Sequence, residues 1–344
     1  MTLVSALLLL LLGSLVSYGL LSFLLKENSS ILVPDKPNSR SLHSQVVPKG
    51  GGLVIIVSTV SLIGIYQAIY QSIAVMHVLI ALLVGCIAVL GWFDDRYNLR
   101  IRTRIITQIV IACAMVYLLA RLQGINIAGY HLELPDWLLF VSIVVWVVWM
   151  TNLFNFMDGI DGLVSTQSTI ATVVLACWFY QEDAPNLVLL NMTLAGALVG
   201  FSFHNWRPAS VFLGDIGSLT LGIYFAVMGI IGWTVYRLPV EAFMLLYGVM
   251  FCDATVTLMV RILRRERWWE AHSSHFYQRL VRLGYNHAQV TSLAVMVTVC
   301  LSIYATFLIH ERAPQWLWIL LGGLTLTGCG LIIKHKEKKH LNLK

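Results

Sequence analysis

Apolar residues in this chain fall in long blocks, and the segments between them are short and rich in Gly, Pro, Asn, Asp, His and Arg. The blocks run about 17–23 residues, the length a helix needs to cross roughly 30 Å of hydrocarbon. Eleven spans are predicted, at about 3–25, 52–70, 73–92, 105–120, 137–156, 163–180, 187–203, 217–236, 239–260, 289–309 and 315–333. The pattern therefore predicts an all-α polytopic membrane protein of ten or eleven transmembrane helices, a single integral-membrane unit over 1–344 with a basic tail from about 334.

Composition strengthens this picture. Hydrophobic residues make up 58% and charged ones 12% of the chain, against roughly 25% charged in soluble domains. With the N-terminus outside, the inner connections and tail hold 20 of the 23 lysines and arginines, and only Arg121, Arg237 and Arg312 fall outside. That asymmetry predicts a periplasmic N-terminus and a cytoplasmic C-terminus. The net charge of +6 gathers on the cytoplasmic face, where anionic lipid and phosphorylated substrates are met. The first block lacks a basic leader and exceeds the usual signal-peptide core, so it reads as a retained helix. Six single cysteines without C-x-x-C spacing read as packing residues, not as disulfides or zinc ligands. The Lys334–Lys339 tail reads as a lipid head-group anchor, and no nucleic acid partner is expected.

Three acidic clusters stand at span ends on the same inner side. Asn152-x-x-Asn155-x-x-Asp158-Gly-x-Asp161-Gly closes the fifth span, with two amides and a carboxylate drifting slowly round one helix face. Carboxylates at the mouth of a span are costly to keep and mark function. Asp94-Asp95-Arg96 precedes Arg100, Arg102 and Arg104, a pairing of acids and bases suited to a metal-bound diphosphate. Gly214-Asp215-Ile216-Gly217-Ser218 opens the eighth span; a plain N-cap is the competing reading. Pro48-Lys49-Gly50-Gly51-Gly52 enters the second span, where bare backbone N–H groups could approach a phosphate, or simply permit a tight turn. Asp253 has Arg261 eight residues on, and an ion pair within the bundle is its simplest use. His272-x-x-His275, on one face of a helix, has zinc-ligand spacing but no nearby third ligand, which favours phosphate contact.

Together these motifs resemble the polyprenyl-phosphate N-acetylhexosamine-1-phosphate transferases. The resemblance rests on D-x-P-N-x-R-x-x-H and P-x-G-G within 35–51, G-x-x-D-D at 91–95, the Asn/Asp/Gly string at 152–162, P-A-x-x-F-x-G-D-x-G-S at 208–218 and the Asp/Arg string at 253–265. It implies a cytoplasmic cleft in a bacterial inner-membrane bundle. Asp94 and Asp95 would be the acidic pair near a lipid phosphate, Asp158 and Asp161 further catalytic acids, and Asp215 the ligand of magnesium, with manganese as the alternative. Phe212 would stack on uracil and Asn205 would contact the nucleotide; His275 joins the catalytic set, and Asn155, Arg207, Gly51, His272 and Arg279 the substrate-binding set. Where many members carry H-x-H-H, this chain has Tyr277 and Gln278 after His275. That departure points to the O-antigen-initiating branch and a UDP-linked N-acetylhexosamine such as GlcNAc, FucNAc or QuiNAc.

The implied reaction joins UDP-N-acetylhexosamine to undecaprenyl phosphate with release of UMP. Direct attack by the lipid phosphate and a covalent aspartyl-phosphate route both stay open, as does a homodimer. A peptidoglycan-type transferase is the neighbouring alternative. A secondary transporter would instead place its acids near the bilayer midplane, and a non-enzymatic scaffold would not need three acidic motifs on one face.

Overall fold

The computed structural model describes residues 3–35, 37, 45–70, 75–119, 124–267, 269, 272–310 and 313–342. Within these, apolar blocks become helices α1 (Leu3–Lys26), α2 (Gly52–Tyr70), α3 (Val75–Tyr97), α4 (Ile101–Leu119), α5 (Asp136–Met157), α6 (Leu163–Gln181), α7 (Pro185–Asn205) and α8 (Gly214–Tyr236). They continue as α9 (Val240–Leu246), α10 (Gly248–Leu263), α11 (Phe276–Arg282), α12 (His287–Ile309) and α13 (Gln315–Asn342). Ten helices are long and apolar enough to cross a bilayer, and eleven spans result if α9 and α10, bent by 86° at their junction, count as one. The protein is an all-α polytopic membrane protein. Arg121, Arg312 and, in the first inner loop, Asn38, Arg40 and His43 lie outside the described residues.

The most enclosed helix is α8, which packs against α3 and α5, while α7 is clasped by α1 and α6. Close approach there depends on glycine: a Cβ at Gly196 would lie 2.2 Å from the Leu10 carbonyl oxygen of α1, and one at Gly222 2.5 Å from that of Met150 in α5. The predicted ninth span is broken at Tyr247, which is buried at the bend and donates its hydroxyl to the Phe225 carbonyl of α8 at 3.3 Å.

Three departures from the predicted pattern bear on the site. Helix α3 continues through Asp94 and Asp95, and α8 begins before Asp215, so both motifs sit within helix termini and not in loops. Two short hairpins join the helices: β1 (Val33–Asp35) pairs antiparallel with β2 (Val47–Lys49), and β3 (Ile125–Ile127) with β4 (Tyr130–Leu132). The connection after α10 folds part of itself into α11.

Candidate active site

The acids of three distant motifs meet at one end of the bundle, where α3 and α5 finish and α8 starts. Carboxylates at a helix C-terminus oppose the macrodipole, so Asp94 and Asp95 need compensation from elsewhere. Asp94 accepts the Leu99 N–H at 2.8 Å and pairs with Arg104 of α4 at 2.8 Å. Asp95 pairs with Lys49 at 3.1 Å and accepts the backbone N–H groups of Asp215 at 3.1 Å and Ile216 at 3.0 Å. Asp95 thus caps α8 from another helix, and the positive end of α8 stabilises it in return. Both carboxylates are engaged by the protein.

Asp215 is aimed by its neighbours. Asn155, on the last turn of α5, donates to the Asp215 carboxylate at 2.6 Å and to the Ser218 hydroxyl at 3.1 Å. Asp158 caps the end of α5 and, among the described residues, has no neutralising partner comparable to those of Asp94 and Asp95. Burial, then the charges of Asp215, Asp95 and Asp161, hold its carboxyl well above the ordinary carboxylate range. Lys49 feels the same field: burial disfavours its charged form, but Asp95, Asp215 and Asp35 outweigh that and raise its pKa.

The glycines before α2 do something other than expected. The Gly51 N–H donates to the Phe212 carbonyl at 3.0 Å and the Gly52 N–H to that of Leu213 at 2.9 Å, so these groups cannot cradle a phosphate. Half-buried Phe212 donates its own N–H to the Pro48 carbonyl, so its backbone lies beside β2. Gly51 and Gly52 are required for packing instead: a Cβ on Gly51 would meet the Phe201 ring at 2.6 Å, and one on Gly52 the Gly217 Cα at 2.2 Å.

Asp161, whose charge reaches Asp158, is itself held in a brace. Its carboxylate lies 3.2 Å from His287 Nδ1 at the start of α12 and accepts the Ala209 N–H at 3.3 Å. Burial raises its pKa, but the His287 contact prevails and holds it below the usual value. Asn205 is committed next to it, accepting from the Gly162 N–H and the Ser165 hydroxyl and donating to the Val211 carbonyl. Arg207 is exposed nearby, the residue before a cis proline. The brace holds the 206–213 connection that sets Phe212 and Gly214.

The residues expected around His275 also have other duties. His275 is buried, with Nδ1 3.1 Å from Asp253, whose carboxylate also accepts the N–H groups of Phe276 and Tyr277. Asp253 therefore pairs with His275 and caps α11, while Arg261 pairs with Glu266 at 2.8 Å. His272 precedes α11 in irregular backbone, not on a shared helix face, and takes a 2.9 Å contact with the Ser274 hydroxyl. Burial and the neighbouring His275 and Arg261 lower its pKa to about 4, so it is neutral at pH 7. Arg279 pairs with Glu337 of α13 and turns away from the acids. Tyr277 and Gln278 are buried: the tyrosine hydroxyl donates to the Phe156 carbonyl at 3.0 Å, and the glutamine closes a capping box with the His275 N–H. The sequence reading missed Lys49, His287 and the duty of Asp253. Lys49 stands inside the Pro48–Gly52 motif, and the Asn286-x-x-Gln289 capping box that starts α12 is the available signal for His287.

Below the acids, an apolar cavity of about 360 Å³ runs along α2, α3 and α8, from Gly52 and Gly217 past Thr59 and Ile63 to Gln67. Among the described residues no three His, Cys, Asp or Glu side chains close into a metal cage. Magnesium does not demand one, since it is held by one or two carboxylates plus substrate phosphates and water. The all-oxygen donors at Asp215 and Asp158 suit that mode.

Residues 75–233 match the family model for glycosyl transferase family 4. The probable undecaprenyl-phosphate N-acetylglucosaminyl 1-phosphate transferase of Bacillus subtilis (strain 168) is 26% identical over 289 residues, covering 82% of this chain and 78% of that protein. The undecaprenyl-phosphate alpha-N-acetylglucosaminyl 1-phosphate transferase of Salmonella typhi is 24% identical over 319 residues, covering 88% and 84%. A phospho-N-acetylmuramoyl-pentapeptide-transferase of Wolbachia pipientis wMel is 28% identical over 245 residues, covering 66% and 71%.

Proposed function

We propose that this chain, a member of glycosyl transferase family 4 through its residues 75–233, is a phosphoglycosyl transferase that moves N-acetylhexosamine-1-phosphate from a UDP-sugar to undecaprenyl phosphate. One observation carries the reading: Asp94, Asp95, Asp158 and Asp215, from three helices, meet Lys49 and Arg104 at one end of a membrane bundle. That end would face the cytoplasm, by the distribution of basic residues, in a bacterial inner membrane.

A lipid phosphate oxygen bonds to the sugar-linked phosphorus, the bond to the bridging oxygen breaks, and UMP departs. A phosphomonoester has its second pKa near about 6, so the nucleophile is largely ionised at neutral pH without a strong base. Chemistry of this kind depends on positioning and charge neutralisation. Lys49 and Arg104 supply fixed positive charge, Asp95 fixes the start of α8, and Asn155 orients the Asp215 carboxylate. Asp215 and Asp158 would hold magnesium, which when bound neutralises charge on the diphosphate. The apolar cavity below Gly52 and Gly217 suits an isoprenoid tail entering from the bilayer.

Tyr277 and Gln278 are buried, and the two GlcNAc-named relatives favour UDP-GlcNAc over the FucNAc and QuiNAc donors, as the first step of a surface polysaccharide. The test incubates purified protein with undecaprenyl phosphate, magnesium and UDP-GlcNAc, a 6-deoxy donor or the muramoyl-pentapeptide donor. UMP release with UDP-GlcNAc supports the reading. Release with the pentapeptide donor alone would move the chain to the peptidoglycan branch, and sugar transport without UMP would overturn transferase activity.

A further inference from the structure

A second amphipathic site lies apart from the acids. A chamber of about 570 Å³ opens between α10, α12 and α13, walled by apolar side chains that include Val249, Leu293, Val297 and Leu326. It joins a vestibule of about 730 Å³ where Arg261, Arg264, Arg279, Arg282 and His340 gather. Val256, Val260, Arg264, Phe276, Arg279 and Glu337 line both, so the two form one continuous space.

Charge in the vestibule is unbalanced. Its acids are taken, Glu266 by Arg261 and Glu337 by Arg279. Arg282 donates to the Ser273 carbonyl, and neither it nor Arg264 has an ion-pair partner among the described residues; both are exposed. Guanidinium groups in surplus at the mouth of an apolar chamber match a phosphate carried on an acyl chain. The reacting lipid phosphate does not belong here. The acids sit on α3, α5 and α8, while buried His275 and Tyr277 fill the space between α11 and the end of α5.

We propose that this two-part cavity holds one anionic glycerophospholipid, with its phosphate on Arg264 and Arg282 and an acyl chain in the apolar chamber. The lipid would tie α10, α11 and α13 together and so hold α11, whose Tyr277 bonds the end of α5. This site is independent of the transferase reading, and its test reads binding and not turnover.

Full-length protein, stripped of lipid in detergent, is titrated with phosphatidylglycerol or phosphatidylcholine and followed by native mass spectrometry and thermal unfolding. One phosphatidylglycerol should be retained, with a rise of several degrees in apparent Tm that phosphatidylcholine does not give. Arg264→Gln with Arg282→Gln should abolish that preference, whereas Lys338→Gln with Lys339→Gln, on the same basic face but outside the cavity, should keep it. Should the double variant not fold, Arg264→Gln alone should weaken phosphatidylglycerol retention at least threefold, and Ala294→Phe, which fills the chamber, should weaken retention of both lipids. Equal stabilisation by the two lipids, or an undiminished preference in the arginine variants, would overturn the proposal. Stoichiometric displacement of phosphatidylglycerol by undecaprenyl phosphate would overturn it too, by making the cavity a carrier site.

Discussion

The Asp95 carboxylate accepts the N–H of Asp215 at 3.1 Å, so the residue proposed to hold the metal is positioned by an acid 120 residues earlier in the chain. The same carboxylate takes the Ile216 N–H and Lys49. An amide cannot serve three donors, because one of its two polar atoms is itself a donor. Asp95→Asn should therefore cost about 1–3 kcal/mol of stability through an unsatisfied N–H and lower turnover at least about tenfold, or about 1.4 kcal/mol of barrier. A variant with unchanged apparent Tm and unchanged UMP release would show that the cap is dispensable.

Asp215→Asn should leave the fold intact and reduce UMP release by about 100-fold or more, on the order of 2.7 kcal/mol. Chelation of divalent cations should have the same effect on the parent protein, reversed by magnesium. Full turnover in excess EDTA would exclude Asp215 as a metal ligand in the reaction.

The pH dependence of stability follows from two acids of opposite sign. The raised pKa of Asp158 means that the folded state binds its proton more tightly, so its stabilising contribution is full below the unfolded value of 3.8 and is lost as pH rises through the folded one. Asp158→Asn should raise apparent Tm at pH 7 in EDTA while removing at least about 90% of turnover in magnesium. Asp161, held below 3.8 by His287, contributes above that value and loses its contribution as pH falls through the folded one. His287→Gln should therefore lower apparent Tm at pH 7 and narrow the difference from the parent below pH 4. A parallel offset at all pH values would contradict the pairing.

Gly52→Ala places a Cβ 2.2 Å from the Gly217 backbone, where nothing flexible can give way. Separation of α2 from α8 should cost about 1–3 kcal/mol and disturb Asp215 two residues earlier. Wild-type stability in this variant would mean that the helices can part without penalty.

Orientation is open to a direct measurement. In a cysteine-free background, Ser210→Cys, exposed in the connection between α7 and α8, should react with an impermeant maleimide only from the cytoplasmic side. Asp183→Cys, between α6 and α7 at the other end, should react only from outside. The reverse pattern would invert the proposed topology.

Sequence alone determined the spans and the span ends where the acids stand, because a helix must satisfy its own backbone in lipid and cannot hide charge there. The acidic strings at Asp94, Asp158 and Asp215 were legible for the same reason. What each side chain does was decided only by tertiary structure. Asp161 and Asp158, three residues apart, face His287 and Asp215 respectively, and Gly51, which looked like a phosphate cradle, has its N–H bonded to Phe212. Tyr277 and Gln278, which mark a departure from the family pattern, are bonded to Phe156 and the His275 backbone, and Arg279, expected to bind substrate, is paired with Glu337. Spacing along a chain records which residues share a helix face, but a buried polar group must find its partner wherever packing brings one, and Thr298 finds Gln167 at a separation of 131 residues.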